Sequence, residues 1–348
     1  MKAPQILKQK IMFRVLYSLI PVALTAVYFF GWRILALVAV SFFFCFVTEW
    51  ATTSRRNAKV SSACFVTAAL FGLSLPPTTP FWIAAVGAVV GILFGKEVFG
   101  GFGRNVFNPA IVGRAFVYVC FPVELTSRFV PVFSGFPGGF ARWSFTSLKE
   151  APPVLAEASL KVVDAVTAAT PMWSRRDYGF VTDVANLFWG NIGGVFEFEG
   201  YRRVLAAGSA GEVSAAAIVL AGAYLLATKT ANYRLTFGTL LGALGLNAFL
   251  RYGLGLTAVP PLLFTLFSGA LLYGAVFMVT DPVSAPKLPS SQWIYGIFIG
   301  MMIVVFRYKS VFAGGVAFAI LLGNMLAPSL DLWIKRFQQR RPKAEAVP

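Results

Sequence analysis

The sequence predicts an all-α, polytopic membrane protein of about ten transmembrane helices, arranged as a five-plus-five inverted repeat with broken helices. Three observations lead to this prediction: an apolar composition, separate apolar stretches, and an uneven distribution of Lys and Arg. Of the 348 residues, 57% are hydrophobic and 13% are charged, whereas a soluble domain has about 25% charged residues. Most apolar side chains must therefore face lipid or neighbouring helices.

The apolar stretches form two groups on either side of a hydrophilic segment. The first group comprises Ile11–Gly31, Ile34–Thr53, Val60–Pro76, Phe81–Gly95 and Ala110–Leu125. The second comprises Glu212–Thr228, Leu235–Leu250, Pro260–Val279, Trp293–Phe306 and Ala313–Trp333. A full crossing takes about 20 apolar residues, so the shorter stretches predict broken helices inside a protein-lined cavity. These groups divide the chain into a first membrane repeat (1–127), a loop region (128–211), a second membrane repeat (212–334) and a basic tail (335–348).

Lys and Arg residues predict the orientation. The chain has 30 Lys and Arg against 14 Asp and Glu, a net charge of +16. This excess is typical of cytoplasmic loops in a multi-span protein, so we do not expect nucleic acid as a partner. Basic residues cluster at both ends of the chain and in alternate short loops, such as the loop with Lys96 and Arg104. Both termini are therefore expected in the cytoplasm, and the long loop region on the outer face.

The two halves share a pattern that favours an internal repeat. Each contains a Pro-Pro pair, an apolar Gly-containing segment, and then an Asx-Pro pair. These pairs are Pro76-Pro77 and Asn108-Pro109 in the first half, and Pro260-Pro261 and Asp281-Pro282 in the second. Paired interrupted segments of this kind indicate a binding site near the middle of the membrane.

Polar residues at these breaks are candidates for ligand contacts. The Gly-rich segment Gly95–Ala110 carries two amides, Asn105 and Asn108. Both amides suit either hydrogen bonds to a flat heterocycle or the capping of the next helix. In the second half, Thr280, Asp281 and Ser284 lie where two prolines end a helix. They suit either an ion pathway or a polar helix end.

Two further residues stand out. Thr170 precedes Pro171 in the loop region, where residue chemistry alone predicts a turn or a helix cap. Glu49 lies near the end of the second apolar stretch, and we expect it at the membrane surface beside Arg55.

The residue inventory restricts the cofactors. The chain has no His and three Cys, which are far apart. Haem, zinc–His sites and ordinary iron–sulfur clusters are therefore not expected, because they need His or four Cys ligands. We predict no metal site, and any redox cofactor should be organic.

Taken together, these motifs resemble one bacterial family. It is the membrane flavin subunit shared by two complexes, namely the B subunit of the Na+-translocating NADH:quinone oxidoreductase and the D subunit of the Rnf ferredoxin:NAD+ oxidoreductase. The resemblance covers nearly the whole chain. Its segments are Ile11-Met12, Phe29–Gly31, Leu75–Pro77, Gly95–Ala110, Asp164–Pro171, Gly190–Gly194, Gly211–Ser214, Thr280–Ala285 and Leu321–Pro328.

The resemblance implies two flavins. In this family a transferase couples FMN through its phosphate to a Thr on the outer face, and Asp164, Thr167, Ala169 and Thr170 match that motif. Thr170 would carry the covalent FMN. A non-covalent riboflavin would lie near Asn105 and Asn108.

The resemblance also implies partners and a role. The chain would be a multi-pass subunit of a complex in the bacterial inner membrane, beside an FMN-carrying subunit at the outer face and iron–sulfur and flavin subunits. It would relay electrons between its flavins, coupled to movement of Na+ or H+. No residue is expected to act as a catalytic acid or base, since the redox chemistry belongs to the flavins.

Some features leave alternatives open. The chain starts almost at the first span, without the extension typical of the quinone-reducing subunit, which favours the Rnf branch. Two outer segments, Phe129–Lys161 and Val195–Ala207, are longer than the family pattern. A plain transporter or channel on the same helices is the alternative from another class, although it gives no reason for the Thr170 motif.

Overall fold

The computed structural model describes residues 5–126, 128–144, 170–198, 201–309 and 315–340. The described chain is mainly α-helical, which confirms the predicted class. Four helices are long and apolar enough to cross a membrane by length and composition. The number of spans and their orientation stay predictions, as do the domain boundaries.

The first half consists mainly of helices, with one short strand before α1 and another before α3. Its elements are β1 (Ile6–Leu7), α1 (Lys10–Phe30), α2 (Arg33–Arg55), β2 (Val60–Ser61), α3 (Ala63–Ser74), α4 (Phe81–Ile92), α5 (Pro109–Cys120) and α6 (Pro122–Thr126). Strands β1 and β2 pair in parallel, which ties the start of the chain to the segment before α3. This pairing delays the third helix beyond its predicted start at Val60.

The loop region packs two short helices and a hairpin onto the bundle. Its elements are α7 (Pro171–Tyr178), α8 (Val184–Trp189), β3 (Val195–Phe198) and β4 (Tyr201–Val204). The antiparallel hairpin β3–β4 was not predicted and lies within the longer segment noted above. Phe196 of β3 stacks on Phe180, with ring centroids 4.8 Å apart, so aromatic packing holds the hairpin against the segment that follows α7.

The second half has a similar order of elements. They are α9 (Ala215–Ala227), α10 (Tyr233–Ala248), α11 (Leu262–Phe267), α12 (Leu271–Tyr273), α13 (Pro289–Lys309) and α14 (Gly315–Arg340). Contacts of α1 with α9, and of α5 with α14, join the halves. The predicted stretch Pro260–Val279 is divided between α11 and α12, which confirms a broken helix.

The repeated pattern has a structural counterpart. Helix α4 continues into a five-residue π turn, Leu93–Glu97. Helix α12 likewise continues into the five-residue π turn Gly274–Met278. In each half, a π turn thus lies between the Pro-Pro pair and the Asx-Pro pair, where the backbone departs from regular α-helix.

Glycines allow α10 and α13 to pack closely. A Cβ atom at Gly242 of α10 would overlap the backbone carbonyl of Ile297, and one at Gly300 of α13 would overlap that of Thr239. Gly245, one turn along α10, has no such neighbour within 4 Å. Close approach through small residues is the usual mode of helix packing in membranes, where lipid removes the hydrophobic driving force.

We predict opposite effects for two alanine substitutions in α10. Gly242→Ala should destabilise the protein by about 1–3 kcal/mol, because the added methyl group overpacks the interface with α13. Gly245→Ala should be neutral or stabilising by up to about 1 kcal/mol, because Ala favours helix more than Gly. Unfolding in detergent measures both, and equal losses would contradict this account of the interface.

Candidate functional site

Two cavities bring the predicted polar residues together, and we name each after one lining residue. The Thr170 cavity is bounded by α3, α5, α7, the segment before α9, and the region around α12 and α14. Its polar lining comprises Ser74, Arg114, Tyr118, Thr170, Arg176, Ser209, Glu212, Tyr273 and Arg307. The Asn108 cavity is lined by polar residues Thr67, Lys96, Asn105, Asn108, Thr230, Thr280 and Asp281.

Thr170 lies at the N-terminal end of α7. Its backbone is extended, and its side chain makes no capping hydrogen bond. Its carbonyl accepts a hydrogen bond from the Ser174 amide at 2.8 Å. The half-buried Thr170 hydroxyl is therefore not used to cap the helix that it precedes, although residue chemistry alone favoured a cap.

Helix α7 is held against the second half by side-chain contacts. The Ser268 hydroxyl is 2.9 Å from the Met172 sulfur, and Arg175 Nη2 donates to the Thr257 carbonyl at 2.9 Å. These contacts fix the position of Thr170 at the cavity wall. The motif residues Asp164, Thr167 and Ala169 lie outside the described residues.

Charged groups in the Thr170 cavity are of both signs. The Glu212 carboxylate accepts from the Ser209 amide at 2.7 Å and closes a capping box with Ser209. Glu212 thus closes the short 3-10 turn Ala210–Glu212 that precedes α9. Arg114 Nη2 donates to the Ser209 hydroxyl at 3.2 Å. Arg307 donates from Nη1 to Thr265 O at 3.0 Å and from Nη2 to Ser268 O at 2.9 Å.

Asn108 has a structural role in the second cavity. Its Oδ1 accepts from the Ala110 amide at 3.0 Å and caps α5. Its Nδ2 donates to the Met278 carbonyl at 3.1 Å, and its backbone amide donates to Asn324 Oδ1 at 3.1 Å. The capping interpretation of Asn108 is confirmed, and the same amide also joins the two halves.

The Asn105 side chain makes fewer hydrogen bonds to the described protein than that of Asn108. It is buried, and its Nδ2 donates to the Phe107 carbonyl two residues along at 3.0 Å. Because this contact is local, the Asn105 side chain does not join separate parts of the chain. It lines the Asn108 cavity.

The residues of the predicted ion pathway form a polar helix end. Thr280 Oγ1 donates to the Val276 carbonyl at 2.6 Å. Asp281 accepts from the Val283 amide at 3.2 Å and from the Ser284 hydroxyl at 2.8 Å. Thr280 and Asp281 line the Asn108 cavity, whereas Ser284 supports Asp281 from the next turn. Their role in ion movement stays a prediction.

The Glu49 prediction was wrong. Glu49 is 1% exposed and accepts a hydrogen bond at 2.5 Å from Lys96 Nζ, which is 2% exposed. Lys96 also donates to the Ser61 hydroxyl at 2.6 Å, and the Ser61 amide donates to Glu49 at 2.7 Å. Lys96 therefore lies in the buried π turn after α4, where it cannot count as a solvated loop charge.

The two cavities are separated by the same two segments. Asn108, the N-cap of α5, lines one cavity, and Ile111, Arg114 and Tyr118 of α5 line the other. These three residues share a helix face because they are three and four positions apart. On the second segment, Tyr273 lines the Thr170 cavity and Phe277 lines the Asn108 cavity, with ring centroids 5.2 Å apart.

The comparisons with known proteins point to one family. The model of the NQR2, RnfD, RnfE family matches residues 4–339. The B subunit of the Na(+)-translocating NADH-quinone reductase of Azotobacter vinelandii is 32% identical over 318 residues, which are 90% of this chain and 70% of that protein.

Two relatives carry another name. The D subunit of the ion-translocating oxidoreductase complex of Aeromonas salmonicida is 31% identical over 352 residues, which are 93% of this chain and 92% of that protein. The corresponding D subunit of Actinobacillus succinogenes is 29% identical over 357 residues, with 94% of this chain and 93% of that protein covered.

We predict that the buried Lys96–Glu49 pair is coupled. Lys96→Met alone should cost about 3–5 kcal/mol, because it leaves the Glu49 charge buried without a partner. Adding Glu49→Leu to Lys96→Met should recover most of that loss. The double-mutant cycle is measured by unfolding in detergent, and additive losses would contradict the coupling.

Proposed function

Because the chain belongs to the NQR2, RnfD, RnfE family, we propose that it is the membrane flavin subunit of an ion-translocating oxidoreductase complex of the Rnf type. In this role it carries covalent FMN on Thr170 and non-covalent riboflavin beside Asn105, and it relays electrons across the bacterial inner membrane. The relay is coupled to translocation of Na+ or H+. Its partners are the other subunits of the complex, including the FMN-carrying subunit at the outer face.

One observation carries the FMN assignment. The Thr170 hydroxyl lies on a cavity wall and makes no capping hydrogen bond, although Thr170 occupies the capping position of α7. A phosphoryl group on this hydroxyl would lie at a helix N-terminus, where backbone N–H groups and the helix dipole favour negative charge.

The riboflavin assignment rests on the Asn108 cavity. Asn105 lines this cavity, and its side chain makes one local hydrogen bond, from Nδ2 to the Phe107 carbonyl. Asn108 holds the wall in place by pairing with Met278. An amide can both donate to and accept from a flat heterocycle, so Asn105 is the residue that we expect to contact riboflavin.

The chain's own residues hold the flavins and set their surroundings. Bound flavins supply reversible electron acceptance and donation, and the protein supplies position and electrostatics. The Glu49–Lys96 pair and Asp281 bring ionisable groups to the Asn108 end, where coupling to a cation is expected. Such groups within membrane segments are costly and mark ion pathways in many proteins.

We propose the Rnf branch over the quinone-reducing branch on the sequence pattern, while the identities to both branches are similar, at 29% and 31% for the two D subunits and 32% for the B subunit. The alignments to the two D-subunit relatives include 93% and 94% of this chain. The alignment to the B subunit of Azotobacter vinelandii includes 90%. The alternative is the B subunit of a Na+-translocating NADH:quinone reductase. The electron donor and acceptor of the assembled complex distinguish the two.

We predict that Thr170→Ala abolishes covalent flavin. The protein is expressed with the flavin transferase, denatured and examined by in-gel flavin fluorescence. The wild type should fluoresce and Thr170→Ala should not, because the acceptor hydroxyl is gone. Thr182→Ala is the matched control, since Thr182 is a buried threonine of the same region that lines neither cavity. Fluorescence that survives Thr170→Ala would exclude this attachment site.

We predict that Asn105→Leu removes extractable riboflavin and leaves covalent FMN in place. Denaturation and chromatography of the released flavin measure the first, and in-gel fluorescence the second. Asn232→Leu is the control, because Asn232 caps α10 and lines neither cavity. Riboflavin that remains at the wild-type ratio in Asn105→Leu would contradict the assignment. A wild type without any flavin, made with the transferase present, would favour a plain transporter or channel.

A further inference from the structure

Arg114 is a charged residue in the middle of α5, a helix that is otherwise almost wholly apolar. A guanidinium in a membrane helix is costly unless its donors are satisfied by the protein or by a ligand. Arg114 Nη2 donates to Ser209 Oγ at 3.2 Å. Its Nη1 is buried and has no hydrogen-bond partner among the described residues. The unpartnered Nη1 belongs to a side chain that lines the Thr170 cavity.

The other charged groups of this cavity have protein partners. Arg307 uses both terminal nitrogens on the carbonyls of Thr265 and Ser268. Glu212 accepts from the Ser209 amide in the capping box. Arg176 pairs with its neighbour Asp177 at 2.6 Å. Among the described charged groups of this cavity, Arg114 therefore has a donor left for a bound group, and the uncharged indole N–H of Trp173 is a second unpartnered donor there.

Arg114 is held in place from two sides. Gly113, the preceding residue, packs against α4 so closely that a Cβ atom would lie 2.6 Å from the Gly87 carbonyl oxygen. Ser209 is fixed by its capping box with Glu212, and its hydroxyl accepts the hydrogen bond from Arg114 Nη2. The remaining N–H donor is thus preorganised, and binding a ligand acceptor requires little further ordering of the side chain.

We propose that Arg114 is a positioning residue that sets the redox potential of the flavin tethered at Thr170. Its Nη1 is the donor that would hold an acceptor of the bound flavin through a charge-assisted hydrogen bond. This inference rests on the proposed FMN attachment. Reduction increases negative charge on the ring, and a nearby cation stabilises that charge more than it stabilises the oxidised ring. Arg114 therefore raises the potential of this flavin.

Arginine suits this role better than lysine. Its planar guanidinium keeps its charge and presents several donors in fixed directions, so one nitrogen can bind Ser209 while another binds the ligand. A lysine ammonium could retain the charge but could not reproduce both directions.

The test compares the full-length chain carrying covalent FMN as wild type, Arg114→Gln, Arg114→Lys and Arg33→Gln. Arg33 is the matched control, because its guanidinium donates to the Pro77 and Thr79 carbonyls and lines neither cavity. In-gel fluorescence first shows which proteins carry the flavin. A spectroelectrochemical titration then measures the ratio of reduced to oxidised flavin at fixed solution potentials.

Arg114→Gln should lower that ratio at least tenfold, which is about 30 mV for a two-electron couple. Arg114→Lys should lower it by about threefold, an intermediate loss that reflects retained charge without the directed donor. Arg33→Gln should match the wild type. A wild-type potential in fluorescent Arg114→Gln would overturn the inference and leave the FMN attachment intact.

The variants also separate folding defects from the proposed role. If Arg114→Gln does not fold, a wild-type potential in Arg114→Lys overturns the inference. An equal shift in Arg33→Gln would also overturn it, because the effect would then not depend on the cavity. Absence of fluorescence from the wild type would instead contradict the proposed function.

Discussion

The hydrogen bond from Asn108 Nδ2 to the Met278 carbonyl is the contact on which the rest of the site depends. A broken helix inside a membrane leaves backbone groups without intrahelical partners, and an unsatisfied one costs several kcal/mol in lipid. Met278 ends a π turn, so its carbonyl needs a partner from elsewhere. Asn108 supplies that partner while its own Oδ1 caps α5. The side-chain amide of Asn108 thereby satisfies backbone groups at the helix break of each half.

This contact also lies between the two cavities, because Met278 lines the Thr170 cavity and Asn108 lines the other. Helix α5 and the segment from Tyr273 to Asp281 stand side by side, and each presents residues to both cavities. The Thr170 cavity holds Arg114 and Arg307 against Glu212, whereas the Asn108 cavity holds Lys96 and Asp281 beside amides. Two sites with different electrostatics on one pair of segments suit a protein that moves electrons and ions through the same structure, because a shift of either segment at one cavity would also move residues that line the other.

Much of the helical framework could be predicted from the sequence, because apolar runs and proline pairs report directly on lipid exposure and helix breaks. The stretch Ile34–Thr53 is observed as Arg33–Arg55, and Pro260–Val279 is interrupted as expected. The Lys96–Glu49 pair could not be predicted, because its members are 47 residues apart and each alone suits a membrane surface. The π turns have no sequence signal of their own. Arg114 did carry a signal, as a lone cation within an apolar stretch, but only the packing shows that one of its donors is left over.

The proposed attachment of FMN to Thr170, at the wall of its cavity, can be tested by the mass of one peptide. Trypsin cleaves after Lys161 and Arg175 and releases residues 162–175, which contain both Thr167 and Thr170. In protein made with the flavin transferase, this peptide should gain the mass of FMN less one water, and fragmentation should assign the gain to Thr170. An unmodified peptide, or a gain assigned to Thr167, would contradict it.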